Sequence, residues 1–448
     1  HKSMPKTAFN AIENSISSFL GGAGVSLVEV KKGEDVSEEE DRHEILVPLQ
    51  FDDAPFLFRA IRDELAFTTT EISFVQELLA AFEGLYGGFS AKGYVAHFRT
   101  ALLTSLTDIA VARYLRGDRK GVFWPVESLI QLLKNLSYQR YEGTPATTGF
   151  LVYRSQLDDF IESLKISPYN WFDLGKERQR INADFFRNPL TYRFVDGLRA
   201  LFVCDIQMNV KGTIQTGSPR PRKSVEQLAW SDTQALLGKA GEAAFAIFVN
   251  EVSEVEVVLD GGRFLVWRKG AWGVYDPDIF REFFVGKLDK RSVDDLVGTI
   301  YALSKSRHGT VVLIADDGTD LDALRMGSVG GRDSLSRALV EHVRGSKLGV
   351  LKRSGELNRI LSSDGLTVIN RKGELLDTGV IVDTSLVKGL VTGGGRTTAA
   401  NAASHFGQVV KVSEDGPVEL YRAGMRLYRF GCNHTRVLSS NRQGQGQA

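Results

Sequence analysis

Residues 364–412 read DGLTVINRKGELLDTGVIVDTSLVKGLVTGGGRTTAANAASHFGQVVKV, and their pattern decides the fold. Leu366–Asn370 is an apolar, β-branched burst, Arg371-Lys372-Gly373 a turn, and Glu374–Val382 a second run of strand character. Together they predict a hairpin. Gly393-Gly394-Gly395 then opens a small-residue stretch from Arg396 to about His405, which predicts a helix able to lie close on a sheet. Gln408–Val412 predicts the next strand. Upstream, His308–Ala315 reads as a buried strand, with helices at Ser292–Ser304, Ser334–Val343 and Gly355–Ser362. Downstream follow a strand at Pro417–Tyr421 and a glycine-containing strand at Tyr421–Leu427. Such interleaving predicts an α/β fold, a C-terminal mixed β-sheet flanked by helices.

The N-terminal half predicts a separate mixed α+β domain. Ile45–Phe51 reads as a strand, and Thr70–Tyr86 carries Ile72, Phe74, Val75, Leu78, Leu79, Phe82 and Leu85 at mostly helical spacing, a core-facing stripe. Val95–Leu115 and Trp124–Tyr138 continue as helices, Thr147–Arg154 as a strand, and Phe194–Val210 has strand composition. Lys31–Glu44 is a charged, apolar-poor stretch expected to be a solvated loop. Lys211–Lys223, rich in Gly, Ser, Pro and cations, is the expected linker. Beyond it Ser224–Val249 reads as helical, and Val255–Asp276, passing Gly261-Gly262 and Lys269-Gly270, as a meander of hairpins. The expected division is 1–44 as an N-terminal extension, with His1-Lys2-Ser3 an appended leader, 45–210 as a sensor or regulatory domain, and 211–223 as linker. Residues 224–440 form the C-terminal domain, with its motifs in 308–430, and 441–448 a polar tail.

Composition narrows the function. The 448 residues hold 55 Lys and Arg against 55 Asp and Glu, so no cationic surplus exists to displace counterions from a polyanion. With 43% hydrophobic and 25% charged residues, the chain is of ordinary globular composition. Two distant cysteines, Cys204 and Cys432, make neither a disulfide framework nor a zinc-ligand spacing, and a cytoplasmic location is expected. No apolar run approaches the roughly 18 to 20 residues of a membrane span, so no membrane association is expected.

Standard catalytic motifs are absent: there is no G-x-S-x-G, H-E-x-x-H, C-x-x-C or G-x-x-x-x-G-K-[ST]. What remains is Gly393-Gly394-Gly395-Arg396-Thr397-Thr398-Ala399-Ala400. A glycine run admits close approach of a ligand, the helix start presents unpaired N–H groups, and Arg396 with two hydroxyls completes an anion cradle. The same residues also fit a plain loop with a threonine cap. Asp364-Gly365, at a strand entrance, offers a carboxylate for a divalent metal or a hydroxyl proton, or else a simple turn. Val412-Ser413-Glu414-Asp415-Gly416 ends a strand in two carboxylates, or again forms a hairpin turn.

In order and spacing these three stretches resemble the diadenylate cyclase domain, the catalytic unit shared by the DNA integrity scanning protein and the membrane-linked bacterial cyclases. That family runs Asp-Gly-Ala, then Gly-Thr-Arg-His-Arg-Ala-Ala, then Val-Ser-Glu-Glu-x-Gly. Here stand Asp364-Gly365-Leu366, then Gly394-Gly395-Arg396-Thr397-Thr398-Ala399-Ala400, then Val412-Ser413-Glu414-Asp415-Gly416, with Arg396 and Glu414 following Asp364 by 32 and 50 positions. The resemblance spans roughly Phe264–Phe430. It implies condensation of two ATP into cyclic di-AMP by two face-to-face domains, with Mg2+ or Mn2+ required. By the same resemblance Asp364 binds metal and helps activate the 3′-hydroxyl, Glu414 supports metal or phosphates, and Gly394, Gly395 and Arg396 hold the triphosphate with Thr397, Thr398 and Ser413 nearby. Gly365 and Leu366 flank the adenine, and the N-terminal region senses a ligand of its own. Thr397 and Thr398 replace the family's His and second Arg, and Ser363 stands where many members carry His. Each lost charge-assisted contact is worth about 1 to 3 kcal/mol of triphosphate binding. Two alternatives stay open: a module that binds a nucleotide or cyclic dinucleotide without turnover, or a dimerisation scaffold beside a functional N-terminal half.

Overall fold

A computed structural model describes residues 4–31, 41–51, 54–88, 105–117, 123–166, 169–215, 225–328, 333–387 and 393–431. It divides into two compact units, one made of residues up to Asp276, the other Pro277–Gly431. The composition is mixed α/β throughout, as expected. No helix among the described residues is long and apolar enough to cross a membrane.

The first unit carries a three-stranded and a nine-stranded sheet. Gly24–Glu29, Ala54–Ile61 and Glu44–Phe51 pair antiparallel, with Ala54–Ile61 in the middle. Aromatic residues from these strands and the helix Thr69–Gly88 form its core, with Phe51 edge-on to Phe56, Phe82 and Tyr86 at centroid distances of 5.0–5.5 Å. The larger sheet runs, in spatial order, Ala271–Tyr275, Arg263–Arg268, Val255–Leu259, Ala244–Val249, Thr148–Tyr153, Ala200–Asp205, Asn209–Gln215 and Asn170–Asp173. All its neighbours are antiparallel except Thr148–Tyr153 and Ala200–Asp205.

That sheet changes three sequence expectations. Lys211–Gln215 is not linker but the end of a strand, with Lys211–Ile214 alternating between half-buried and buried against Ala200–Asp205. The rest of the expected linker lies outside the described residues. The helix after it stops at Ala240, and Ala244–Val249 is a fully buried strand, because AFAIFV is apolar on both faces and too short to serve as a helix. Finally, the meander Val255–Tyr275 extends the sheet of the first unit through Ala244–Val249, so the compact division falls at Asp276 and not near residue 223. Cys204 is free and fully buried in this sheet, and burial pushes its thiol up.

The second unit is built on seven strands in the order Arg325–Ser328, Leu375–Val382, Leu366–Ile369, Thr310–Ala315, Gly407–Val412, Val418–Arg422, Met425–Phe430. The central strand Thr310–Ala315 is parallel to Leu366–Ile369 and antiparallel to Gly407–Val412. Alternation sends Val311, Leu313, Ala315 and Val409 to one face, where Ala400, Ala402 and Ala403 of the helix Gly395–Ala403 cover them. Alanine side chains let that helix lie close to the strands. The helix Lys290–Ser306 starts where Asp289 accepts from the Ser292 backbone at 3.0 Å and stops where Arg307 adopts a left-handed conformation. The expected hairpin forms: Leu366–Ile369 pairs antiparallel with Leu375–Val382, and the side chain of Asn370 accepts from the backbone of Lys372 and Glu374 across its turn.

Candidate functional site

The register of three strands brings the three sequence stretches to one end of the second sheet. Leu366 pairs with Val311 and Val412 with Thr310, so Asp364 precedes one strand and Glu414 follows another at the edge where the central strand begins. The helix Gly395–Ala403 starts at the same end and contributes Arg396. Its guanidinium joins the group: Nη1 donates to Glu414 Oε1 at 2.6 Å, and Nη2 lies 3.5 Å from Asp364 Oδ1. Both carboxylates are about three-quarters exposed, at 76% for Asp364 and 74% for Glu414. An exposed pair of this kind adds little to stability, with a median of about 0–1 kcal/mol, so the convergence gives the fold small return and leaves the groups accessible.

Each flanking residue has a definite place. Gly365 has φ of +91°, and a Cβ there would sit 2.7 Å from the backbone of Gly379, so the turn bearing Asp364 requires glycine. Leu366 belongs to the core, its side chain 1% exposed. Gly394 is the N-cap of the helix and Gly395 its first residue. Among the described residues no side chain caps this N-terminus, whose Gly395 and Arg396 N–H groups are those available to a ligand. Thr397 and Thr398 donate their backbone N–H groups to Gly394 O at 3.0 and 3.2 Å, and the Thr398 hydroxyl lies 3.4 Å from the same oxygen. Ser413 accepts from Gly416 N and donates its N–H to Pro417 O, so the Ser413–Gly416 stretch is a hairpin turn that also presents Glu414. Turn and site readings of this stretch are compatible.

Two participants were missed in the sequence. Gly309, just before the central strand, lies under Arg396: a Cβ on it would fall 2.7 Å from Cζ. Lys411, in the strand GQVVKV, is buried, and its Nζ donates to Thr397 Oγ1 at 2.6 Å. A lone lysine in a run whose other inward positions are valine was the available signal. Phe150 is core against Phe185, Phe186 and Phe202, Tyr138 meets Trp267 edge-on, and Tyr141 lies under Arg193.

Asp364 and Glu414 suit a cation of the magnesium type, which takes one or two carboxylates and completes its shell with phosphate oxygens and water. Among the described residues no three or more His, Cys, Asp or Glu side chains gather as a protein cage. In comparisons with known proteins, no family model matches the chain, and no curated protein gives a significant match.

Proposed function

We propose that the Pro277–Gly431 unit is a diadenylate-cyclase-like nucleotidyltransferase that condenses two ATP into cyclic di-AMP or a related cyclic dinucleotide. The observation that carries this reading is the meeting of Asp364, Arg396 and Glu414, which come from three separate stretches, beside the uncapped helix start at Gly394-Gly395. Phosphoryl transfer asks for positioning and charge neutralisation more than covalent chemistry, and this set of groups supplies both.

In this reading the helix N–H groups and Arg396 bind the triphosphate, with Arg396 exchanging its carboxylate partners for phosphate oxygens. Asp364 accepts the proton of a 3′-hydroxyl. The hydroxyl oxygen forms a bond to the α-phosphorus of the ATP on a second copy, and the bond from that phosphorus to the pyrophosphate oxygen breaks. Two such transfers close the ring and release two pyrophosphates. Asp364 and Glu414 would hold Mg2+ or Mn2+, which when bound offsets phosphate charge. The residues up to Asp276 serve as a sensor and regulatory region for a ligand of its own.

The test is incubation of the purified chain with ATP and Mn2+ or Mg2+ followed by mass spectrometry. A cyclic dinucleotide is the expected product, and Asp364→Asn removes it with unaltered thermal melting. ATP binding without turnover favours the alternative of a nucleotide-binding module. Absence of both product and ATP binding overturns the nucleotide reading.

A further inference from the structure

Under the first turn of the helix Gly395–Ala403 lies an unusual charge cluster. Lys411, with a side chain 7% exposed, contacts Glu419 Oε1 at 2.9 Å as well as Thr397. Glu419 is 4% exposed and faces Arg426 at 3.0 Å and Arg429 at 3.7 Å. Burial pushes the Glu419 carboxyl up, but Lys411, Arg429 and Arg426 more than offset this and hold it below its usual range. Three cations therefore share one ionised carboxylate. A buried cation with an incomplete share of negative charge is costly, and an anion on its open side relieves that cost.

The hydrogen bond between Lys411 and Thr397 has a direction. An ammonium group donates only, so Thr397 Oγ1 accepts and its own proton is free to be donated elsewhere. Thr397 is half-buried in the first helical turn, and Gly393 approaches it closely: a Cβ on residue 393 would fall 2.8 Å from Oγ1, so only glycine leaves that hydroxyl uncrowded.

We infer that Lys411 is the second cation of the phosphate cradle, a positioning residue that acts through Thr397, whose hydroxyl donates to the phosphate chain of a nucleoside triphosphate. This assignment rests on the nucleotide reading above. It gives the cradle, beside Arg396, a cation that arrives from beneath the helix and not from its surface.

The experiment compares ATP and adenosine affinities by calorimetry on the full chain and on Lys411→Met, Thr397→Val and Thr397→Ser, with thermal melting of each. Expected is a loss of ATP affinity of roughly tenfold or more in Lys411→Met and Thr397→Val, with adenosine affinity unchanged and Thr397→Ser like the parent. Because Lys411 sits among buried charges, Thr397→Val decides the matter where Lys411→Met does not fold. Parent-like ATP affinity in Thr397→Val, or an equal loss for ATP and adenosine, overturns the assignment alone. A parent chain that binds no ATP overturns the nucleotide reading and this assignment with it.

Discussion

Gly309 and Arg396 are matched, in that the guanidinium of Arg396 occupies the space that any side chain on residue 309 would take, 2.7 Å from an added Cβ. The arginine is thereby directed to Glu414 at 2.6 Å and toward Asp364 at 3.5 Å. Gly309→Ala should displace Arg396 with little effect on the fold, because the clashing atoms are the far end of a flexible side chain. The expected stability change is within about 0.5 kcal/mol. ATP affinity should fall several-fold, as in Arg396→Ala, when both are measured by calorimetry. Unchanged ATP affinity in Gly309→Ala would separate the position of Arg396 from binding.

How much of this was legible differs by element. Asp364, Arg396 and Glu414 could be picked out because short turns and a glycine run punctuate the chain around them, and strand register then did the rest. Gly309 could not, since its role is space for a residue 87 positions later in the sequence. Ala244–Val249 was read as helix because six apolar residues carry no period when both faces of a strand are buried. The unit boundary was misplaced for a related reason. A Gly/Pro/Ser-rich stretch marks a break in composition, whereas membership of a sheet is set by the pairing of Ala244–Val249 with Thr148–Tyr153, which composition does not encode.

The turn that presents Asp364 depends on Gly365 meeting Gly379. A methyl group at residue 365 would lie 2.7 Å from the Gly379 carbonyl carbon, and φ at Gly365 is +91°. Both the left-handed conformation and the overpacking oppose alanine, for a combined loss of about 2 to 4 kcal/mol. Denaturant unfolding should show Gly365→Ala with a lowered midpoint and an unchanged slope. A parent-like midpoint would mean that the turn adapts without strain.

In the first unit Asp108 is the anchor of a buried polar group. It is 3% exposed and accepts from Trp272 Nε1 at 2.7 Å, Lys134 Nζ at 2.7 Å and Gln131 Nε2 at 2.8 Å. Removing the carboxylate strands a lysine and an indole N–H, which costs about 3 to 5 kcal/mol. Asp108→Ala should therefore lower the melting temperature and shift Trp272 emission to the red as water reaches the indole.

Glu419 gives a pH dependence whose sign follows from its surroundings. An unfolded glutamate titrates near about 4.3, and the folded carboxyl titrates lower because Lys411, Arg429 and Arg426 outweigh its burial. Its stabilisation is therefore complete above the unfolded value and is lost as pH falls through the folded one. Arg426, at 41% exposed, contributes little of it, and the buried Lys411 contributes most. At neutral pH Glu419→Gln should cost about 3 to 5 kcal/mol by leaving the cations without their carboxylate. Denaturant unfolding at stepped pH should show the gap between the parent and Glu419→Gln constant near neutral pH and narrowing as pH falls below the unfolded glutamate value, because the unfolded parent then takes up a proton that the folded carboxyl resists. A gap that stays constant below that value as well would show that the loss comes from packing, and that Glu419 does not carry the charge that holds Lys411 beneath Thr397.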